Sequence, residues 1–411
     1  MKLTFDIVIV GAGLAGLQCA RQLARLGFAV ALVDRKQRLD QSVHTTGIFV
    51  RRTLEDFSFP ADCLGQPINT VRLYSPSGRM LEVNSPHDEF RIGRMARLYQ
   101  RWLDEAVEAG AVWFPGRSYH EMAAPSAPGA RFDVALERVG GAEREVLSTR
   151  FVVGADGVQS SIAADLKLSL NRRWIVGFEE VYRRAEPVGR SGSARLHCVL
   201  DPRLAPGYIA WAVDDGEEIH LGVGGHPRRF APRDALSEFL PRAVELVSLE
   251  GAELVESRGG RIPVGGVLPR IARSQGLLVG DAAGAVSPLT AGGLDPCLRL
   301  SSFAAEVIER TLSGDGRAIG EYNGSEFRRR FRLRRWMRSC LSRLRWRWTA
   351  EAAVACLARC PNQSLARRIF FGRGSFPLEH REAIGAVKGE VEDAQAAHAP
   401  PAHQTAAEVL D

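Results

Sequence analysis

The chain has no run of about 20 uninterrupted apolar residues, which excludes an ordinary membrane-spanning helix. Met1 to Asp6 leads into a strand-like segment without a basic leader or cleavage site. No signal peptide is therefore expected, and a cytoplasmic location is, with any membrane contact peripheral. Cysteines are few: seven, odd in number and widely spaced, which argues against a disulfide scaffold. Cys356 and Cys360 would lie one helical turn apart, but no second pair accompanies them, and His44, His87, His120, His197 and His220 fall into no ligand pattern. No metal site is expected. No nucleic-acid reader fold surrounds the basic stretches, so nucleic acid is not an expected partner. What is present is ordinary for a globular protein: 45% hydrophobic residues and a net charge of +6, carried mainly by arginine. At 411 residues the chain exceeds one core and suits two domains with an appendage.

The most informative stretch is Phe5 to Asp34. An apolar strand ending at Val10 meets Gly11-Ala12-Gly13-Leu14-Ala15-Gly16. A helical pattern follows with Leu17, Ala20, Leu23 and Ala24 on one face, and a second strand ends at Asp34. This is dinucleotide-binding geometry: Gly11 for the tight turn, Gly13 for approach of the pyrophosphate to backbone amides, and Gly16 for close helix packing. Asp34 would serve the adenosine ribose. Beyond it, Arg35 would lie near the adenine end, and His44-Thr45-Thr46-Gly47 reads as a loop beside the cofactor.

Alternation around Pro76-Ser77-Gly78 predicts a hairpin over residues 68 to 84, and apolar spacing predicts a helix from Arg91 to Ala109, with Arg94 and Arg97 near its start as candidate phosphate contacts. Residues 131 to 153 read as a β meander returning to the nucleotide sheet, where Asp156 follows the strand end. From about 172 to 265 alternation dominates, which predicts a mostly antiparallel sheet whose apolar and aromatic face suits a hydrophobic small-molecule substrate. The chain then returns: a buried strand, Gly276 to Val279, precedes Gly280-Asp281-Ala282-Ala283-Gly284, and Gly292-Gly293-Leu294 opens a helix to Leu312. Asp281 can hold a polyol hydroxyl, and the glycines admit a flat ring to helix N-terminal amides. Those two services suit FAD.

Ten arginines lie between Glu326 and Trp348, interleaved with Phe327, Phe331, Trp336, Trp346 and other apolar residues. This pattern fits first a helix packed on the FAD domain with a solvated basic face, and second one lying on an anionic membrane. The expected organisation is α/β: a Rossmann-type FAD-binding domain (1–67, 88–170 and 266–325), an inserted, mostly antiparallel substrate sheet (68–87 and 171–265), basic C-terminal helices (326–382), and a disordered tail (383–411).

Together, Gly11 to Gly16, Gly154-Ala155-Asp156-Gly157 and Gly280 to Gly284, with Gly207-Tyr208-Ile209-Ala210-Trp211 and Arg261 to Gly266 between the last two, resemble the geranylgeranyl reductase-like branch of the FAD-dependent para-hydroxybenzoate hydroxylase superfamily. The resemblance spans about residues 5 to 375. It implies that Gly11, Gly13, Gly16, Asp34, Asp156, Asp281, Gly292, Gly293 and Leu294 serve FAD; from their places in the chain, Leu14, Ala15, Arg35, Thr46, Gly47, Arg94, Arg97 and Gly280 are added as candidate cofactor contacts. Thr45, Tyr208 and Trp211 would line the substrate cavity, and His44 and Tyr208 would be candidate proton donors. Isoprenoid reductases of this kind commonly carry a cysteine in the loop that here holds His44, Thr45 and Thr46, which removes a cysteine-dependent proton relay. The expected activity is reduction of a double bond in an isoprenoid- or polyketide-like substrate. NAD(P)H or an electron-donor protein would supply electrons. Two alternatives stay open: a monooxygenase using NAD(P)H and oxygen, and an electron-transfer or membrane-docking flavoprotein.

Overall fold

The structure, a computed structural model, describes residues 2–41, 43–123, 130–186 and 194–372. Ser42 and the segment expected as a tail, 383–411, lie outside the described residues. The first sheet is built on parallel strands in the order Gly276–Leu278, Arg144–Gly154, Leu3–Val10, Val30–Asp34 and Val112–Pro115. Ile7 sits between Phe151 and Val30, and all three are fully buried. Such continuous apolar strands are what a sheet covered on both faces requires. The Leu14–Arg25, Met95–Glu108 and Leu294–Leu312 helices supply cover. An antiparallel meander, Arg117–Ala123 with Phe132–Arg138, extends the sheet from Arg144–Gly154.

The second sheet has nine strands, in the order Ala252–Pro263, Trp174–Arg184, Glu218–Gly225, Ala210–Asp214, Ala194–Val199, Leu64–Tyr74, Phe90–Gly93 and Ile48–Val50, with Met80–Asn84 paired to Leu64–Tyr74. Its two faces separate by the period of two expected of a strand. Ala210, Ala212, Ile219, Leu221 and Val223 pack under the Pro232–Leu246 helix around Phe239, whose burial alone contributes about 2 kcal/mol. Trp211, Gly222 and Glu179 belong to the opposite face.

Two expectations are corrected. The segment Arg91 to Gly93 is strand rather than helix: Phe90 and Arg91 pair with Ile68 and Pro67, and the helix begins at Met95. Pairing in the sheet overrides the helical spacing. The second sheet accordingly takes Ile48–Val50, the start of Leu64–Tyr74, and Phe90–Gly93 from stretches assigned by sequence to the FAD domain. The basic C-terminal segment also divides its packing. Phe327 and Phe331 join the core of the first sheet, whereas Ala350, Val354 and Ala366 pack on Ile68, Val71 and Val83 of the second. No helix of the described residues is long and apolar enough to cross a membrane.

Candidate active site

The carboxyl ends of Leu3–Val10, Val30–Asp34, Arg144–Gly154 and Gly276–Leu278 converge on one crevice, the usual ligand position in an open parallel sheet. Gly11 adopts φ +105°, and a Cβ there would lie 2.2 Å from the Ala155 carbonyl oxygen. A Cβ on Gly16 would lie 1.8 Å from the Gly11 oxygen. Gly13, at the N-terminus of the Leu14–Arg25 helix, meets nothing within 4 Å. That empty space beside helix N-terminal amides is what a pyrophosphate needs. Asp34 accepts from the Ala12 amide at 2.7 Å and the Lys36 amide at 2.9 Å, so it fixes the glycine loop, and its carboxylate has lone pairs beyond those two bonds. Asp281 faces the same cavity with no ion pair among the described residues, and desolvation pushes its pKa up to about 6. Open glycine space, helix amides and an unpaired carboxylate fit the pyrophosphate and polyol of FAD.

Across the second sheet runs a row of four residues. Trp211 is registered opposite Gly222, Gly222 opposite Glu179, and Glu179 opposite Arg258. With no side chain on Gly222, the indole lies flat across that strand and Nε1 donates to Glu179 Oε1 at 3.1 Å. Gly224 does the same for Tyr208: a Cβ there would be 2.6 Å from the phenol ring. Arg258 Nε donates to Glu179 Oε2 at 2.7 Å, and His220 lies 3.6 Å from both Glu179 and Glu218. Burial opposes charge on Glu179, but Arg258, His220 and Thr46 outweigh it and hold the carboxyl at about 2.

These elements enclose one cavity of about 840 Å³. At one end it is lined by Gly13, Lys36, Thr46, Gly157, Asp281 and Gly292, and at the other by apolar residues such as Leu196, Met337, Leu344, Leu357 and Phe371. The far wall thus comes from the three last described helices, Arg332–Leu341, Arg347–Arg359 and Ser364–Phe371. Of the arginines on the first of these, Arg334 lines the cavity and Arg338 is buried behind Tyr208. Arg334 donates to Ser287 Oγ at 2.8 Å, and Arg338 lies 5.7 Å over the Tyr208 ring, with a buried Nη1 that has no hydrogen-bond partner.

Of the residues singled out from sequence, Gly13, Leu14, Ala15, His44, Thr45, Thr46, Gly47, Tyr208, Trp211, Gly280, Asp281, Gly292, Gly293 and Leu294 line this cavity. Four others do not. Arg94 is buried against Asp215, at 2.7 and 3.0 Å, and near Glu217 and Glu218, so its charge is spent within the protein. Arg97 is exposed and bonds the Asp62 carbonyl. Arg35 lies in a separate surface depression, while its neighbour Lys36 lines the cavity. Asp156 accepts from the Ser161 and Ile162 amides and so caps a short helix. Tyr208 gives its phenol proton to the Thr290 carbonyl at 2.6 Å, and burial raises its pKa. Glu179, Arg258, Gly222 and Gly224 escaped the sequence reading. The alternation Leu221-Gly222-Val223-Gly224 opposite an aromatic strand is the signal that could have found the glycines.

The fold and the crevice define an FAD-dependent oxidoreductase. A family model described as "FAD dependent oxidoreductase" matches residues 6–109. Digeranylgeranylglycerophospholipid reductase 1 of Methanopyrus kandleri is 32% identical over 322 residues, covering 76% of this chain and 82% of that one. Geranylgeranyl diphosphate reductase of Rhodobacter capsulatus is 28% identical over 308 residues, 74% of each chain. Among solved structures, a geranylgeranyl bacteriochlorophyll reductase-like protein of Thermoplasma acidophilum superposes with a TM-score of 0.73 at 18% identity, over 93% of this chain and all of that one. The chain belongs to the geranylgeranyl reductase family of FAD-dependent oxidoreductases.

Proposed function

We propose that the chain reduces a carbon–carbon double bond in a hydrophobic, isoprenoid- or polyketide-like substrate. The observation that carries this reading is the single cavity, polar and glycine-lined beside Asp281, apolar from Trp211 to Phe371. The names of the relatives, which act on geranylgeranyl compounds, point the same way. FAD, when bound, supplies the hydride. Gly11, Gly13 and Gly16 shape the loop for its pyrophosphate; Asp34 and Asp281 receive its hydroxyl groups; Thr46, Gly47, Gly292, Gly293 and Leu294 border its ring.

Tyr208 and Trp211, held by Thr290 and Glu179, form a rigid aromatic wall against which the unsaturated chain lies. Reduction also needs a proton on the second carbon. Of the two sequence candidates, His44 is the better placed: it lines the cavity, whereas the phenol hydrogen of Tyr208 is committed to a carbonyl; partial desolvation with Lys36 and Arg35 nearby lowers the imidazole's pKa and so works against its charged form. NAD(P)H docking transiently, or an electron-donor protein, delivers the electrons, and peripheral membrane contact brings in the substrate.

The test is anaerobic. Purified FAD-loaded protein is reduced with NADPH or NADH and mixed with polyprenyl substrates, and product mass is recorded. A gain of two hydrogens per double bond without oxygen supports the proposal. The loop bearing His44, Thr45 and Thr46 in place of a cysteine favours one second reading, a monooxygenase; a product that gains oxygen, and forms only in air, would establish it instead.

A further inference from the structure

The cavity wall made by the Arg332–Leu341 helix is also molecular surface. Trp336 lines the cavity and is nevertheless 65% exposed; Cys340 and Cys356 line it and are exposed as well. The cavity mouth therefore lies along this helix and its neighbour. The four most exposed large apolar side chains among the described residues are Leu333, Trp336, Trp346 and Trp348, all on this short stretch. Three of the four are tryptophan, the side chain whose apolar body and N–H suit a lipid headgroup layer.

The charge around them has one sign. Between Glu326 and Glu351 the chain has no acidic residue, and Arg332, Arg335, Arg343, Arg345 and Arg347 are exposed. Arg347 pairs with Asp201 at 3.4 Å, while the other four form no ion pair among the described residues. A stretch built only for water would not gather three exposed indoles, and one built only to pack on the core would not leave Arg332, Arg335, Arg343 and Arg345 without an ion pair among the described residues.

We propose that this face docks on an anionic lipid bilayer. Leu333 and the three tryptophans enter the headgroup region, the arginines meet lipid phosphates, and the cavity mouth opens toward the acyl chains. The proposal rests on the reading of the substrate as a long apolar molecule. Such a molecule would otherwise have to cross water to reach Met337 and Leu344, whereas here it passes from one apolar medium to another.

The test is co-flotation of the full-length FAD-loaded protein with vesicles of phosphatidylglycerol and phosphatidylcholine, against vesicles of phosphatidylcholine alone, at low and high salt. The expected result is salt-sensitive binding to the anionic vesicles with a blue-shifted tryptophan emission. Trp346→Ser with Trp348→Ser should lower partitioning by roughly tenfold. Arg343→Gln with Arg345→Gln should lower it and flatten the salt dependence, with flavin content unchanged in both pairs of substitutions as the check on folding.

Equal binding to neutral vesicles, unaltered binding by both variants, or no binding by the parent protein would overturn the proposal. So would a parent dimer that the tryptophan substitutions dissociate, since the face would then belong to a second copy. Because no substrate is present in the flotation, its failure is distinct from a failure to observe double-bond reduction.

Discussion

Replacing Gly222 with alanine tests the row of side chains that crosses the second sheet. The new Cβ would lie 2.1 Å from Cζ2 and 2.2 Å from Cε2 of Trp211, inside any tolerable contact. The indole is rigid, so it must leave the sheet surface, and with it goes the Nε1 hydrogen bond to Glu179. Losing a hydrogen bond to a buried carboxylate costs about 2 kcal/mol, and crowding in a packed layer adds about 1 kcal/mol, giving about 3 kcal/mol in all. Urea unfolding of the FAD-loaded protein, followed by flavin and tryptophan emission, measures it. The decisive comparison is the same change in a Trp211→Leu background, where the offending ring is absent and Gly222→Ala should cost under about 1 kcal/mol. The expected coupling is thus about 2 kcal/mol. Equal destabilisation in both backgrounds would refute the idea that Gly222 is there to make room for the indole.

Three further outcomes follow from the geometry. Gly13→Val should leave the apoprotein folded, since nothing lies within 4 Å of the new carbon, yet weaken FAD binding more than tenfold. Gly16→Val should fail to fold, because its Cβ would meet the Gly11 oxygen at 1.8 Å; calorimetry of the apoprotein with flavin titration separates the two. Burial opposes the charge on His220, but Glu179 and Glu218 outweigh it, together with the opposing Arg258, and hold its pKa at about 9 against an ordinary 6.5. A raised folded-state pKa stabilises fully below pH 6.5 and loses that stability as pH rises through about 9, so thermal unfolding should show an alkaline decline across this window that His220→Gln removes. Arg338→Met should leave stability unchanged or raise it by about 1 kcal/mol, because it removes a buried guanidinium with an unpartnered nitrogen; a loss above about 1 kcal/mol in denaturant titration would contradict this.

The nucleotide half was legible because its chemistry is local. Gly11, Gly13, Gly16 and Asp34 act within one strand, turn, helix and strand, and the pattern that names them is also the pattern that folds them. Asp281 and Gly292, which line the cavity, likewise stand in or beside the glycine-rich turns that single them out. The substrate half was not legible, because its partners meet only through sheet register. Glu179 and Arg258 look like surface charges on alternating strands until the pairing puts them opposite each other. Gly222 and Gly224 look like weak points in a strand until an aromatic side chain from the neighbouring strand lies across them. Arg94 failed in the opposite sense: a cation near a helix start suggests a phosphate, but Asp215, far away in sequence, had already claimed it.

The division of the cavity between early and late parts of the chain has a consequence for synthesis. The sheet face bearing Ile68, Val71, Leu81 and Val83 leaves the ribosome long before Ala350, Val354 and Ala366, which cover it. Domains form as they emerge, and transiently bare apolar surface invites aggregation. From the completion of Ala252–Pro263 until the closing helices emerge, this nascent sheet presents an unfinished greasy trough to the cell. A ribosome stalled after Leu312 should therefore recruit a holdase chaperone to that trough, and release it only once the closing helices have been made.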